Sequence, residues 1–317
     1  MQGQRIKNIP TLQDEIRKIA RTKNAIILAH NYQLPEVQDI ADFVGDSLGL
    51  SLEAMKTDAT SIIFCGVHFM AESAKILNPE KRVFLPNLSA GCSLADSITP
   101  ESLIDWKERY PDHTVVTYVN SSAEVKALSD YCCTSANAVS VVRHVPNNKI
   151  LFTPDRNLGN WVKRQIPEKE IVIYDGACPT HDVLRGANVK KTLSVNPEAI
   201  VVAHPECRED ILALADEICS TSGMMNIVEK YPHAKTFLIA TENGIIHQLK
   251  QRYPGKEFIV ADGCIGCRLH CPYMKMINLP AVLRSLEEEL FEIKVDRDVA
   301  EGALLALQRM MSVPRDN

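Results

Sequence analysis

Five of the ten cysteines in this 317-residue chain stand in turn-forming sequence: Cys92 in SAGCSLAD, Cys178 in GACPTH, and Cys264, Cys267 and Cys271 in GCIGCRLHCP. Thiolates gathered from separate turns are soft ligands, suited to zinc or to an iron–sulfur cluster. Structural zinc sites commonly use local CxxC pairs, and Cys264–Cys267 is such a pair, without a second CxxC or an HxxxH partner. A cubane cluster usually takes four cysteines. With three, one iron keeps an open position that can polarise a substrate oxygen. Spacing alone leaves an iron–sulfur site, zinc and unmetallated thiols all open. Cys65 and Cys219 sit in apolar runs and read as core, as does Cys132.

A second group of chemically capable residues recurs in register. Setting Asp42 against Asp130 and Asp216 aligns residues 29–47 with 117–135 and 203–221, at offsets of 88 and 86 residues and with no internal gap. His30, Tyr118 and His204 then coincide, as do Tyr32, Asn120 and Glu206, and Ser47, Ser135 and Thr221. Apolar positions agree too: Val37 with Val125 and Ile211, Ile40 with Leu128 and Leu214, Val44 with Cys132 and Ile218. His, Tyr and Glu can move protons, while Ser, Thr and Asn hold carboxylate or phosphate. One strand-end His or Ser alone would be read as satisfying a backbone group. Nine such residues at equivalent positions point to a site for a small anionic metabolite undergoing proton transfer and dehydration.

The elements that must carry these residues are short β-branched runs alternating with helical patterns. Residues 11–22 form a helix opened by Thr11, and 25–29 a buried strand ending at His30-Asn31-Tyr32. Pro35 starts an amphipathic helix, and Ser47 stands near the N-cap of the next one. Strands over 61–66 and 82–86 lead to the Cys92 turn. The second copy has strands at 114–120, 149–155 and 171–178, with Ser121 and Glu124 spaced as a capping box. The third has strands at 199–206, 236–244 and 258–264. A period near 87 residues suits a small αβ domain copied three times, not a solenoid. The predicted organisation is an N-terminal helix (1–22), repeats at 23–110, 111–196 and 197–279, and closing helices at 280–317, the first started by Pro280. The fold class is α/β: three homologous three-layer αβα domains with parallel sheets about a pseudo-threefold axis. Ligands of such sheets bind beyond the carboxyl ends of the strands, so one central site would collect the polar sets and three cysteines.

Bulk properties narrow the classes. A net charge of −5 argues against nucleic acid as the main partner. The polar start MQGQRIKNIP lacks the apolar core of a signal peptide, and no apolar run reaches the length needed to cross a bilayer, so a cytoplasmic protein with no membrane partner is expected. Dinucleotide GxGxxG, Walker A, HExxH and GxSxG signatures are missing.

Longer stretches carry a family resemblance. LAHNYQLPEVQDIADFVGDSL, FMAESAKILNP, YVNSSAEVKALSDYCCTSANA, FTPDRNLGNWV, AHPEC and TENGIIHQLK together closely resemble the quinolinate synthase family, over residues 25 to 283. The resemblance implies three αβ domains about a pseudo-threefold axis and one [4Fe–4S] cluster per chain on three cysteines, its open iron acting as Lewis acid. It implies condensation of iminoaspartate with dihydroxyacetone phosphate to quinolinate, phosphate and water in NAD biosynthesis. The enzyme that produces iminoaspartate is a candidate partner. The family's ligands fall on Cys92, Cys178 and Cys271, whereas the repeat spacing carried on from Cys178 lands on Cys264. The specific CPYM motif favours Cys271, leaving Cys264 and Cys267 as a free pair. Substrate-binding positions carry over to His30, Ser47, Tyr118, Val119, Asn120, Ser135, His204, Pro205, Glu206 and Thr221. Tyr32 and Glu206 are then the candidates for proton transfer, and His204 for holding a carboxylate or assisting them. Another cluster-dependent dehydratase of a small dicarboxylate, or a cluster-based redox sensor, are the competing readings.

Overall fold

The computed structural model describes residues 8–262 and 269–316; Cys264 and Cys267 lie outside the described residues. Twelve strands form three parallel sheets of four among the described residues. The first contains β1 (Ala25–His30), β2 (Phe43–Gly45), β3 (Ser61–Cys65) and β4 (Arg82–Phe84). The second contains β5 (Thr114–Tyr118), β6 (Tyr131–Cys133), β7 (Lys149–Thr153) and β8 (Glu170–Ile173). The third contains β9 (Ile200–Ala203), β10 (Glu217–Ile218), β11 (Thr236–Ala240) and β12 (Glu257–Val260). Their orders are β2-β1-β3-β4, β6-β5-β7-β8 and β10-β9-β11-β12, one topology built three times.

The repeat has a shared structural anchor. Asp42 Oδ2 accepts the backbone N–H of Ile27, Asp130 Oδ2 that of Val115, and Asp216 Oδ2 that of Val201, each at 2.8 Å. Each aspartate also donates its own N–H to the carbonyl of the same residue. A side chain thus closes the loop that returns each short edge strand beside the central one. Helices cover both sheet faces, so the central strands are buried nearly end to end. Alternate residues go to opposite layers: Val116, Ile150 and Phe152 join the main core, while Val115 and Leu151 pack with Ile98, Leu103 and Val125 on the outer side.

Helix starts differ from the sequence expectation in two places, while Ser47 lies beside its cap as expected. The first helix runs Ile9–Thr22 and is capped by Asn8, whose Oδ1 accepts from both the N–H and the hydroxyl of Thr11. The helix Ala123–Ala127 is capped by Ser122, not Ser121; the Ser121 hydroxyl donates instead to the Tyr118 carbonyl, 3.1 Å away. Ser47 is the first residue of the helix Ser47–Lys56 and Asp46 is its cap, accepting from Gly49 N–H at 2.7 Å. The segment from Pro35 is a single turn, Pro35–Gln38.

Two closing helices, Leu279–Glu288 and Arg297–Ser312, tie the sheets together. The first packs on Ile9–Thr22. The second lies across Ala123–Ala127, β6 and the helix His68–Leu77, joining the first two sheets. Between them the chain pairs with the edge of β4, Phe84 bridging Glu292, which covers an otherwise open strand edge.

Candidate functional site

The carboxyl ends of strands from all three sheets open on one cavity. His30, Tyr32 and Ser47 line it from the first sheet's loops, Tyr118, Asn120 and Ser135 from the second's, and His204, Glu206 and Thr221 from the third's. Cys92, Cys178 and Cys271 line it as well. Val119 and Pro205 are buried beside it but do not face it.

The first and third copies build the same local device. Tyr32 N–H donates to His30 Nδ1 at 3.2 Å, and Glu206 N–H donates to His204 Nδ1 at 3.4 Å. An Nδ1 that accepts leaves the ring proton on Nε2, so each neutral imidazole offers an Nε2–H donor. Burial enforces neutrality, pulling His30 down to about 4 and His204 to about 3. His204 Nε2 lies 3.1 Å from Ser135 Oγ, and Asn31 Nδ2 donates to Thr221 Oγ1 at 3.0 Å.

Glu206 is the centre of a buried relay. Tyr118 donates its hydroxyl to Oε1, and His181 Nδ1 lies 2.9 Å from Oε2. His181 Nε2 is 2.8 Å from Thr241 Oγ1, which is 2.6 Å from the Tyr32 hydroxyl. A continuous path of polar hydrogens therefore joins Tyr32, Thr241, His181, Glu206 and Tyr118. Burial alone would raise the Glu206 carboxyl, but the His181 charge and hydrogen bond outweigh it and hold the group low. The same pair raises His181 against its own burial penalty. Burial and the nearby Glu206 charge push both Tyr32 and Tyr118 well above the ordinary phenol value.

Two buried carboxylates brace the cysteine loops. Asp155 Oδ2 accepts Cys178 N–H at 2.8 Å, and Glu242 Oε1 accepts Cys271 N–H at 3.0 Å. Each carboxylate stands two residues beyond its strand, β7 or β11. Cys178 and Cys271 are therefore equivalent in their support although their loops differ in length. Lys275 Nζ pairs with Glu242 at 2.9 Å. Burial raises all three thiols, Cys92 to about 12, Cys178 well above its ordinary value, and Cys271 upward as well. A metal centre would have to displace these protons. Cys178, His181 and Glu206 also bring potential ligand atoms within 4.8 Å of one another.

The residues not anticipated from sequence are His181, Thr241, Glu242, Lys275 and Asp155. His181 had a local signal, three residues beyond Cys178 at the start of a helical turn. Thr241 and Glu242 follow β11 in TENG, a strand end like those already singled out.

A buried hydrogen-bonded network of ionisable side chains lies where three parallel αβ sheets meet, and sequence comparison shows what kind of enzyme carries it. The family profile described as Quinolinate synthetase A protein matches residues 14–312. A quinolinate synthase of Geobacter metallireducens is 50% identical over 306 residues, covering 96% of this chain and 99% of that one. One from Thermodesulfovibrio yellowstonii is 48% identical over 300 residues, covering 95% and 97%. The chain belongs to the quinolinate synthase family. No helix among the described residues is long and apolar enough to cross a membrane.

Proposed function

We propose that this chain is a quinolinate synthase that condenses iminoaspartate with dihydroxyacetone phosphate, releasing phosphate and water, in NAD biosynthesis. The observation that carries the reading is the convergence of Cys92, Cys178 and Cys271 with the Glu206 relay on one cavity. The donor set suits a [4Fe–4S] cluster: three thiols, one from the loops of each sheet, two of them with braced backbone N–H groups. Bound there, such a cluster would supply an open iron as Lewis acid.

The remaining work belongs to the chain. Ser47, Ser135 and Thr221 offer hydroxyls to carboxylate and phosphate oxygens, and the Nε2–H groups of His30 and His204 add neutral donors. Asn120 Oδ1 is buried with no partner among the described residues, so a substrate donor such as an imine N–H would satisfy it. Glu206, held as a carboxylate, accepts a proton from a substrate carbon or nitrogen. His181 and Thr241 connect it to Tyr32, which returns a proton to a leaving hydroxyl on the other side. Burial of these groups keeps water from competing.

The test is iron, acid-labile sulfide and turnover on anaerobically purified protein, for wild type, Cys271→Ser and Cys264→Ser. Iron and sulfide present in wild type and in Cys264→Ser, lost in Cys271→Ser, with quinolinate formed only by the loaded proteins, is expected. Zinc in place of iron, or turnover unaffected by Cys271→Ser, overturns the reading.

A further inference from the structure

Beyond the closing helix, four residues reach all three sheets. Arg315 sets its guanidinium on Asp46, with Nη1 2.5 Å from Oδ2 and Nη2 3.0 Å from Oδ1. The same Nη1 donates to Ser222 Oγ at 2.6 Å. Asp316 accepts the backbone N–H groups of Val139 at 3.0 Å and Ser140 at 2.8 Å, and its own N–H donates to the Ala136 carbonyl at 2.6 Å. Asn137 holds the approach, its Nδ2 donating to the carbonyls of Met310 at 2.9 Å and Val313 at 3.3 Å.

One anchor in each unit adjoins one of the three equivalent cavity hydroxyls. Asp46 precedes Ser47, Ala136 follows Ser135, and Ser222 follows Thr221. The first and third of these segments are also joined by the Asn31–Thr221 hydrogen bond. Between them lies a second cavity of about 540 Å³, bordered by Phe43, Asp46, Ser222, Met225 and Arg315. The guanidinium spans one side of that gap.

We propose that Arg315, supported by Asp316, is a positioning residue that sets the spacing of Ser47, Ser135 and Thr221, and with it the affinity of the cavity for dianionic substrate groups. The inference deepens the function proposed above and rests on it. A guanidinium is suited to the task because its planar fork meets both oxygens of one carboxylate and still has a donor for a third acceptor. Asp46 is 6% exposed, so without Arg315 its charge would keep only the Gly49 N–H and the Ser222 hydroxyl, and the turn before Ser47 would shift toward water. A displacement of about 1 Å at a substrate-holding group can cost about 100-fold in catalytic efficiency.

The test is calorimetric binding of pyridine-2,3-dicarboxylate to iron-loaded protein, with KM, kcat, iron content and melting temperature, for wild type, Arg315→Gln, Arg315→Lys, Asp316→Asn and Ser47→Ala. Arg315→Gln is expected to weaken binding and raise KM by about 10- to 100-fold, with kcat changed far less and iron content unchanged. Arg315→Lys restores the charge without the fork and recovers part of the loss. Dicarboxylate binding within twofold of wild type in Arg315→Gln, while Ser47→Ala loses it, overturns the clamp and leaves the proposed function standing. Wild-type binding in Ser47→Ala removes the reading of the hydroxyls and the clamp together. Should Arg315→Gln fail to fold, Arg315→Lys and Asp316→Asn decide: wild-type binding in both overturns the proposal.

Discussion

Tyr118 donates its hydroxyl to Glu206 across 88 residues of chain, joining the end of β5 to the loop after β9. These are corresponding places in two copies of one αβ unit. The bond exists because the copies turn the same strand end toward a common cavity, and one copy supplies a phenol where the other supplies a carboxylate two positions further on. Removing either side chain tests the relay. Glu206→Gln keeps the shape and loses the proton acceptor, so turnover should fall by about 100- to 10,000-fold with iron content and melting little changed. Tyr118→Phe should lower turnover less, since His181 still holds the carboxylate. Wild-type turnover in Glu206→Gln would remove Glu206 from the chemistry.

The three repeat anchors should behave alike. Asp42→Ala, Asp130→Ala and Asp216→Ala each strip a strand N–H of its side-chain partner. Each is expected to destabilise by about 1–3 kcal/mol, measured by denaturant unfolding. A neutral effect at any one would show that water replaces the carboxylate there.

Gly244 sits against the backbone of Tyr32, where a methyl group would lie 2.7 Å from the carbonyl carbon and 2.8 Å from Cα and the oxygen. Backbone cannot swing aside as a side-chain tip can. Gly244→Ala should therefore cost about 1–3 kcal/mol and displace Tyr32, lowering turnover more than an equally destabilising change remote from the cavity. Melting temperature and kcat measured together separate the two effects.

Asp46 gives a pH signature. Burial raises its carboxyl, but the hydrogen bonds and charge of Arg315, with Gly49 N–H, bring it below the ordinary value. A depressed folded value means that the group contributes stability above the unfolded value of about 3.9 and loses it as pH falls through the folded one. Wild type should melt above Asp46→Asn at neutral pH, and the two should converge below pH of about 4. A gap that persists undiminished at lower pH would show that the contribution is not ionic.

The motif resemblance points to the family that the comparisons show, the repeat to the threefold αβ architecture, and the strand positions follow from β-branched runs that recur with the Asp42, Asp130 and Asp216 anchors. Less legible were features with two local solutions. Ser121 and Ser122 each suit a cap, and only the Tyr118 carbonyl, which takes the Ser121 hydroxyl, distinguishes them. The edge strands β2, β6 and β10 are two or three residues long, too short for periodicity to register.

From sequence alone, this chain determines that one αβ unit occurs three times and that its strand-end polar residues fall at equivalent points. Such patterns depend on near neighbours, which is why they survive being read along a line. Tertiary structure decided the partners: His181 and Thr241 between Glu206 and Tyr32, Glu242 under the Cys271 loop, and Arg315 on Asp46. Most of these contacts span tens to hundreds of residues and depend on the packing of whole sheets. Loops of unequal length lead to them, so constant spacing points to Cys264 while the cavity is lined by Cys271.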